Sequence, residues 1–132
     1  MVFNILMDNT DDHEKNHAFV RAADGFYDLS LAYDVVPSVQ GLGQQQLRVG
    51  KGEAESSIDN ALSQVEAFGL KKDSAVETIR RVAGVVDGWQ AFFQRQGVGK
   101  KDLDLLAQYI DGPNLKAQRD EFIDRKTRGL SR

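Results

Sequence analysis

The sequence predicts a mainly α fold of α+β character, a helical bundle with a small β-hairpin near its amino end. Three observations predict it. Apolar residues recur at helical spacing from Ile58 onward, turn-forming residues concentrate before that point, and an Asp24-Gly25 pair separates two short apolar runs. The 132 residues are 41% hydrophobic and 28% charged, the size and balance of one globular domain. Within 1–132, a loop-bearing segment covers residues 1–37 and a helical segment covers 55–127.

The elements follow in order. Residues 2–7, VFNILM, read as the tail of a buried helix, with a strand the alternative for so short a run. Asn9-Thr10-Asp11-Asp12 is turn chemistry, because these side chains bond to their own backbone. His17–Arg21 and Phe26–Ser30 flank Ala22-Ala23-Asp24-Gly25 and form the hairpin. After Pro37, a Gly- and Gln-rich loop runs over residues 38–54. Its Val49-Gly50-Lys51-Gly52 lacks the spacing of a phosphate loop and is read as a turn. Ile58, Leu62, Val65 and Phe68 form one helix face that Gly69 ends. Ser74 and Glu77 make a capping-box pattern, and the stripe from Val76 through Trp89 and Phe93 extends that helix to about Gln96. At this spacing Trp89, Phe92 and Phe93 read as core rather than as a ligand-stacking patch. A third helix covers about residues 101–110 and stops at Asp111-Gly112-Pro113, and a polar one over 114–127 is anchored by Leu115, Phe122 and Ile123.

Composition excludes several functions. With no cysteine, disulfides, zinc–thiolate sites and thiol catalysis are out, and a cytoplasmic location is the default expectation. No apolar run approaches the ~20 residues of a membrane span, and Met1–Met7 is too short and lacks the basic flank of a signal peptide. A net charge of −3 does not point to direct nucleic-acid binding. The charge is uneven, however. Residues 1–34 carry seven acids (Asp8, Asp11, Asp12, Glu14, Asp24, Asp28 and Asp34) against two strong bases, Lys15 and Arg21. Residues 114–132 are basic, through Lys116, Arg119, Arg125, Lys126, Arg128 and Arg132, and read as a solvated helix face or a frayed end. The acidic end must spread its carboxylates into water or hold a cation.

The informative stretch is Asn9-Thr10-Asp11-Asp12-His13-Glu14-Lys15-Asn16. Protein kinases place a catalytic Asp on a loop, an Asn five residues later that holds magnesium, and a second metal-binding Asp beyond. Asp11 and Asn16 stand at that spacing, and Asp34 follows the hairpin in Leu31-Ala32-Tyr33-Asp34. Lys15 can stabilise charge on a transferring phosphoryl group. Spacing alone leaves an ordinary solvated acidic turn open. Neither His13 nor His17 has a partner at metal-ligand spacing, Tyr33 reads as a packing residue, and Ser30, Ser56 and Ser57 lack a base signature.

Residue identities add to the spacing. Asn9-Thr10-Asp11-Asp12-His13-x-Lys15-Asn16, followed by Leu31-Ala32-Tyr33-Asp34-Val35-Val36-Pro37, resembles the HipA family of bacterial serine/threonine kinases, the toxins of toxin–antitoxin pairs linked to persistence. The resemblance extends more loosely through Phe68-Gly69-Leu70 to the helix ending near Trp89. It implies the helical carboxy-terminal lobe of a kinase, with Asp11 as base and Asn16 and Asp34 as magnesium ligands. It also implies His13 and Lys15 as loop-organising or phosphate-facing residues, Asp12 as a hydrogen-bonding turn residue, and ATP with Mg2+ as cofactors. The lobe that covers the nucleotide lies outside residues 1–132 in this resemblance, so the isolated chain is expected to bind nucleotide weakly and turn over negligibly. A face including Val2, Phe3, Ile5 and Leu6 is then expected to be exposed, favouring a homodimer, a segment exchange or a separate amino-terminal-lobe chain. The resemblance also suggests an antitoxin-like DNA-binding partner. A non-catalytic remnant or interaction module is the alternative function.

Overall fold

A computed structural model describes residues 1–128, with side chains through residue 123. Among these residues there are six α-helices and one two-stranded antiparallel sheet, so the fold is mainly α with an α+β amino end. The helices are α1 (Val2–Leu6), α2 (Ile58–Leu62), α3 (Lys72–Asp87), α4 (Trp89–Arg95), α5 (Lys100–Ile110) and α6 (Pro113–Arg128). Strands β1 (Phe19–Arg21) and β2 (Tyr27–Leu29) pair with Phe19 opposite Leu29, Val20 opposite Asp28 and Arg21 opposite Tyr27.

The core lies between α1, α3 and α6, with α2 and Trp89 of α4 at its margins. Ile5 and Leu6 are fully buried with Ile58, Ile79, Val86, Ile110 and Phe122. The expectation that α1 presents an apolar face to solvent is therefore corrected. Of the residues expected on that face only Phe3 is exposed, because Ile5 and Leu6 fill the space between the long helices α3 and α6. Each buried aliphatic of this size contributes about 1.5–3 kcal/mol relative to exposure. The exposed apolar surface lies on the hairpin and its exit instead, at Phe19, Phe26, Tyr27, Leu29, Leu31 and Val36.

Two predicted helices are broken. The face from Ile58 to Phe68 belongs to α2 and a separate tight turn of 3-10 helix at Val65–Phe68, and Gly69 ends that turn at φ +65°. Ser57 caps α2 by accepting from the Asn60 amide at 3.1 Å. The stripe from 76 to 93 divides at Gly88, between α3 and α4. The predicted cap at Ser74 is absent, since α3 begins two residues earlier at Lys72 with no side-chain cap. The break aims the Trp89 indole at Asp111 in the α5–α6 turn, 3.2 Å from either carboxylate oxygen. Trp89 is buried and meets Phe93 edge to face, while Phe92 is exposed rather than core. The basic residues Arg125, Lys126, Arg128 and Arg132 lie outside the residues whose side chains are described.

Arg119 ties the far end of the bundle. It is only 2% exposed and donates to Asp87 at 3.2 Å, to the Ile110 carbonyl at 2.9 Å and to Asp111. Partial burial pushes the Asp111 carboxyl upward. Hydrogen bonds from Gln90, Arg119 and Trp89 and the Arg119 charge outweigh that, and hold it below the ordinary carboxylate value.

Candidate functional site

The site is built where the chain leaves α1. The Asn9 amide closes on the Asn4 carbonyl, and the backbone turns through Asp8 at φ +53°, a left-handed conformation that Asp tolerates better than most residues. The same residue ties down the chain that returns after the hairpin. The Ser38 amide donates to the Asp8 carbonyl at 2.8 Å, the Gly41 amide to the Asp8 carboxylate at 3.3 Å, and the Thr10 amide to the Ser38 hydroxyl at 2.9 Å. The segment between these ties carries every predicted site residue.

Asn16 and Asp34 meet. The Asn16 side-chain amide donates to Asp34 Oδ2 at 2.8 Å across eighteen positions of sequence. Asn16 is buried, and its Oδ1 has no hydrogen-bond partner. Asp34 sits at φ +55°, which turns the chain sharply beside Asn16. An amide oxygen without a partner next to a carboxylate is a pair of hard donors. No group of three or more His, Asp or Glu side chains comes together in metal-holding geometry among the described residues. Asn16 and Asp34 could contribute one amide oxygen and one carboxylate to a cation.

The other predicted residues have their own contacts. Asp11 is exposed, forms no side-chain hydrogen bond or ion pair among the described residues, and lines a cleft of about 290 Å³ with Thr10, Val36, Pro37 and Ser38. It makes no hydrogen bond to Asn16 or Asp34, so the structure brings two of the three together directly, and Asp11 lines a cleft that neither of them lines. Asp12 is a hydrogen-bonding turn residue. It accepts from the Asn4 side chain at 2.7 Å and meets His17 Nε2 at 2.9 Å. His13 is half-buried with Nδ1 unpartnered, and its carbonyl accepts from the Asn16 amide at 3.0 Å. Lys15 is exposed, and its carbonyl accepts from the Tyr33 hydroxyl at 2.6 Å.

Three contributors went unforeseen: Asp8, Ser38 and the Tyr33 hydroxyl. Each acts through a bond between segments distant in sequence, and no spacing rule marks such a pair. For Asp8 the signal was available, as an acid placed directly before a turn. Asn60 is a fourth, away from the site. Its side chain accepts from Gly52 and donates to the Glu53 and Glu55 carbonyls, which fixes the Gly-rich loop onto α2.

A motif-bearing loop, a hairpin and a second acidic turn, set on a helical bundle, define the class. The family model of the HipA-like C-terminal domain matches residues 1–89, two thirds of the sequence and all of the site. The chain belongs to the HipA-like C-terminal domain family. No curated protein and no solved structure matches it. No described helix is long and apolar enough to cross a membrane.

Proposed function

We propose that Asp11 and the Asn16–Asp34 pair serve a phosphoryl-transfer site of a serine/threonine kinase that uses ATP and magnesium. The single observation that carries this reading is the 2.8 Å bond from the Asn16 side-chain amide to Asp34, made by a buried Asn16 whose Oδ1 has no hydrogen-bond partner. Asn16 and Asp34 would hold the ion, and the ion would offset charge on the nucleotide phosphates.

The chain's own residues do the rest. Asp11 accepts the proton of an acceptor hydroxyl as the hydroxyl oxygen bonds to the γ-phosphorus and the bond from that phosphorus to the bridging oxygen breaks, releasing ADP. Its freedom from competing side-chain bonds leaves both carboxylate oxygens available. Lys15 and His13 face the phosphates or organise the loop, with Tyr33 fixing the Lys15 backbone. These residues supply the base and the ion-holding side chains, and elements that meet the phosphates from the other side, in cis or in trans, would raise nucleotide affinity and turnover. An antitoxin-like DNA-binding protein is the partner class that a role in a toxin–antitoxin pair requires, and a cytoplasmic location goes with that role.

Manganese, a paramagnetic substitute for magnesium, tests the site by NMR. Line broadening centred on Asn16 and Asp34, strengthened by ATP and abolished in Asp34→Ala, is the expected result. Equal broadening in wild type and variant would sink the reading. A second reading, a non-catalytic interaction module, is favoured by the exposed apolar side chains of the hairpin, Leu31 at 91% among them. It predicts partner capture that survives Asp11→Ala and Asp34→Ala together.

A further inference from the structure

The cleft beside Asp11 has a chemistry of its own. Asp11, Val36, Pro37, Gln40, Leu42 and Gln46 line it, together with Thr10 and Ser38. Val36 and Leu42 are about 60% exposed, so aliphatic surface faces water there. Neither Gln40 nor Gln46 makes a side-chain hydrogen bond, and Asp11 is equally free among the described residues. The cleft thus offers two unused amides, an apolar wall and one carboxylate. No Lys or Arg lines it.

We infer that this cleft binds the acceptor, as an extended peptide whose serine or threonine is flanked by aliphatic rather than charged residues, with Gln40, Gln46 and Leu42 setting that preference. This rests on the kinase reading of Asp11 given above. Three points carry it. Without a cation on its walls, the cleft cannot hold triphosphate, so it is not the nucleotide's own pocket. An acidic flank would meet Asp11 with no compensating base, and a lysine flank would pair with the same carboxylate that must stay free to take the hydroxyl proton. Free glutamine amides each offer a donor and an acceptor, the complement of a peptide main chain, while Val36, Pro37 and Leu42 match a side chain without charge. The bond from the Thr10 amide to Ser38 ties the Val36–Ser38 side of the cleft to the loop that bears Asp11, so peptide and base share one frame.

The test is an NMR titration of the whole chain with three blocked heptapeptides, identical except that the central serine is flanked by Leu, Lys or Asp. The Leu peptide is expected to shift the amides of Thr10, Asp11, Leu42 and Gln46. It should bind about threefold tighter than the Lys peptide and at least about tenfold tighter than the Asp peptide. Leu42→Asp and Gln46→Ala, both at exposed positions, should each weaken the Leu peptide while leaving the spectrum of the helices intact. Asp11→Asn should narrow the gap between the Leu and Asp peptides, because the repelling carboxylate is gone. Equal affinity for all three peptides, or shifts remote from the cleft, would overturn the inference. Manganese broadening at Asn16 and Asp34, measured on the same sample, separates the two ideas. Broadening without peptide preference refutes the acceptor cleft alone, and peptide preference without broadening refutes the kinase reading and leaves a peptide-binding groove.

Discussion

The Tyr33 hydroxyl donates to the Lys15 carbonyl at 2.6 Å, joining the strand exit that precedes Asp34 to the loop turn that precedes Asn16. The two ends of the hairpin are thereby held together one residue before the residues that themselves meet. Removing the hydroxyl in Tyr33→Phe is expected to cost about 0.5–1.5 kcal/mol, the net worth of one such bond. The larger effect should fall on geometry. Manganese broadening at Asn16 and Asp34 should weaken, while amide exchange in α3 and α6 stays unchanged.

Asp34→Asn separates charge from shape. Asparagine accepts the left-handed backbone at φ +55° nearly as well as aspartate, so the turn should persist. Loss of the carboxylate is expected to lower manganese affinity by at least about tenfold. Titration of the variant by relaxation enhancement checks it.

The Arg119 network should govern acid stability. Asp111 titrates below its ordinary value of 3.8 in the folded chain. Its contribution is complete above 3.8 and is lost as the pH falls through the lower folded value, because the unfolded chain then binds the proton more readily. Wild type should therefore lose stability more steeply below pH 3.8 than Asp111→Asn does. Arg119→Met, which removes the buried guanidinium and leaves two carboxylates facing each other's neighbourhood, should cost about 3–5 kcal/mol by urea denaturation.

Glycine 50 marks the tightest approach of the loop to α2. A Cβ there would lie 1.9 Å from the Asn60 carbonyl oxygen and 2.5 Å from the Ser63 hydroxyl. Gly50→Ala is expected to destabilise by about 1–3 kcal/mol or more, since backbone must move to make room. Gly69→Ala, with open space around it but φ +65°, should cost less, about 1 kcal/mol.

Ile5→Ala and Leu31→Ala contrast the two apolar surfaces of the amino end. Ile5 is fully buried and its truncation should cost about 2–5 kcal/mol, whereas Leu31, almost wholly exposed, should change stability by no more than about 0.5 kcal/mol. Thermal or urea melts of both variants decide the comparison.

The hairpin and the long helices were legible because each rests on local chemistry, a period or an Asp-Gly turn. The Asn16–Asp34 contact spans eighteen positions, and only the resemblance of the two motifs, with a hairpin between them, pointed to it. The breaks at Leu62 and Gly88 were not legible. Periodicity continues through both, so the apolar stripe hid an interruption that tertiary bonding demands; at Gly88 the gain is the Trp89 indole on Asp111. For α1 the apolar run gives a buried helix, but not what buries it. The covering helices α3 and α6 lie far along the chain, which is why the family resemblance points to an exposed face that the fold does not have at Ile5 and Leu6. Arg119 read as one more basic residue of a polar helix. Its burial depends on two acids, Asp87 and Asp111, that only the folded path brings within reach.

The bonds from Thr10 and Asp8 to Ser38 have a mechanical consequence. They close the segment between them into a lasso whose knot lies against the bundle and whose far tip, Asp24-Gly25, stands in solvent. Length added or a peptide bond cut at that tip leaves both strands of the noose tethered, so the tip can vary or carry a fused tag while the knot keeps its shape.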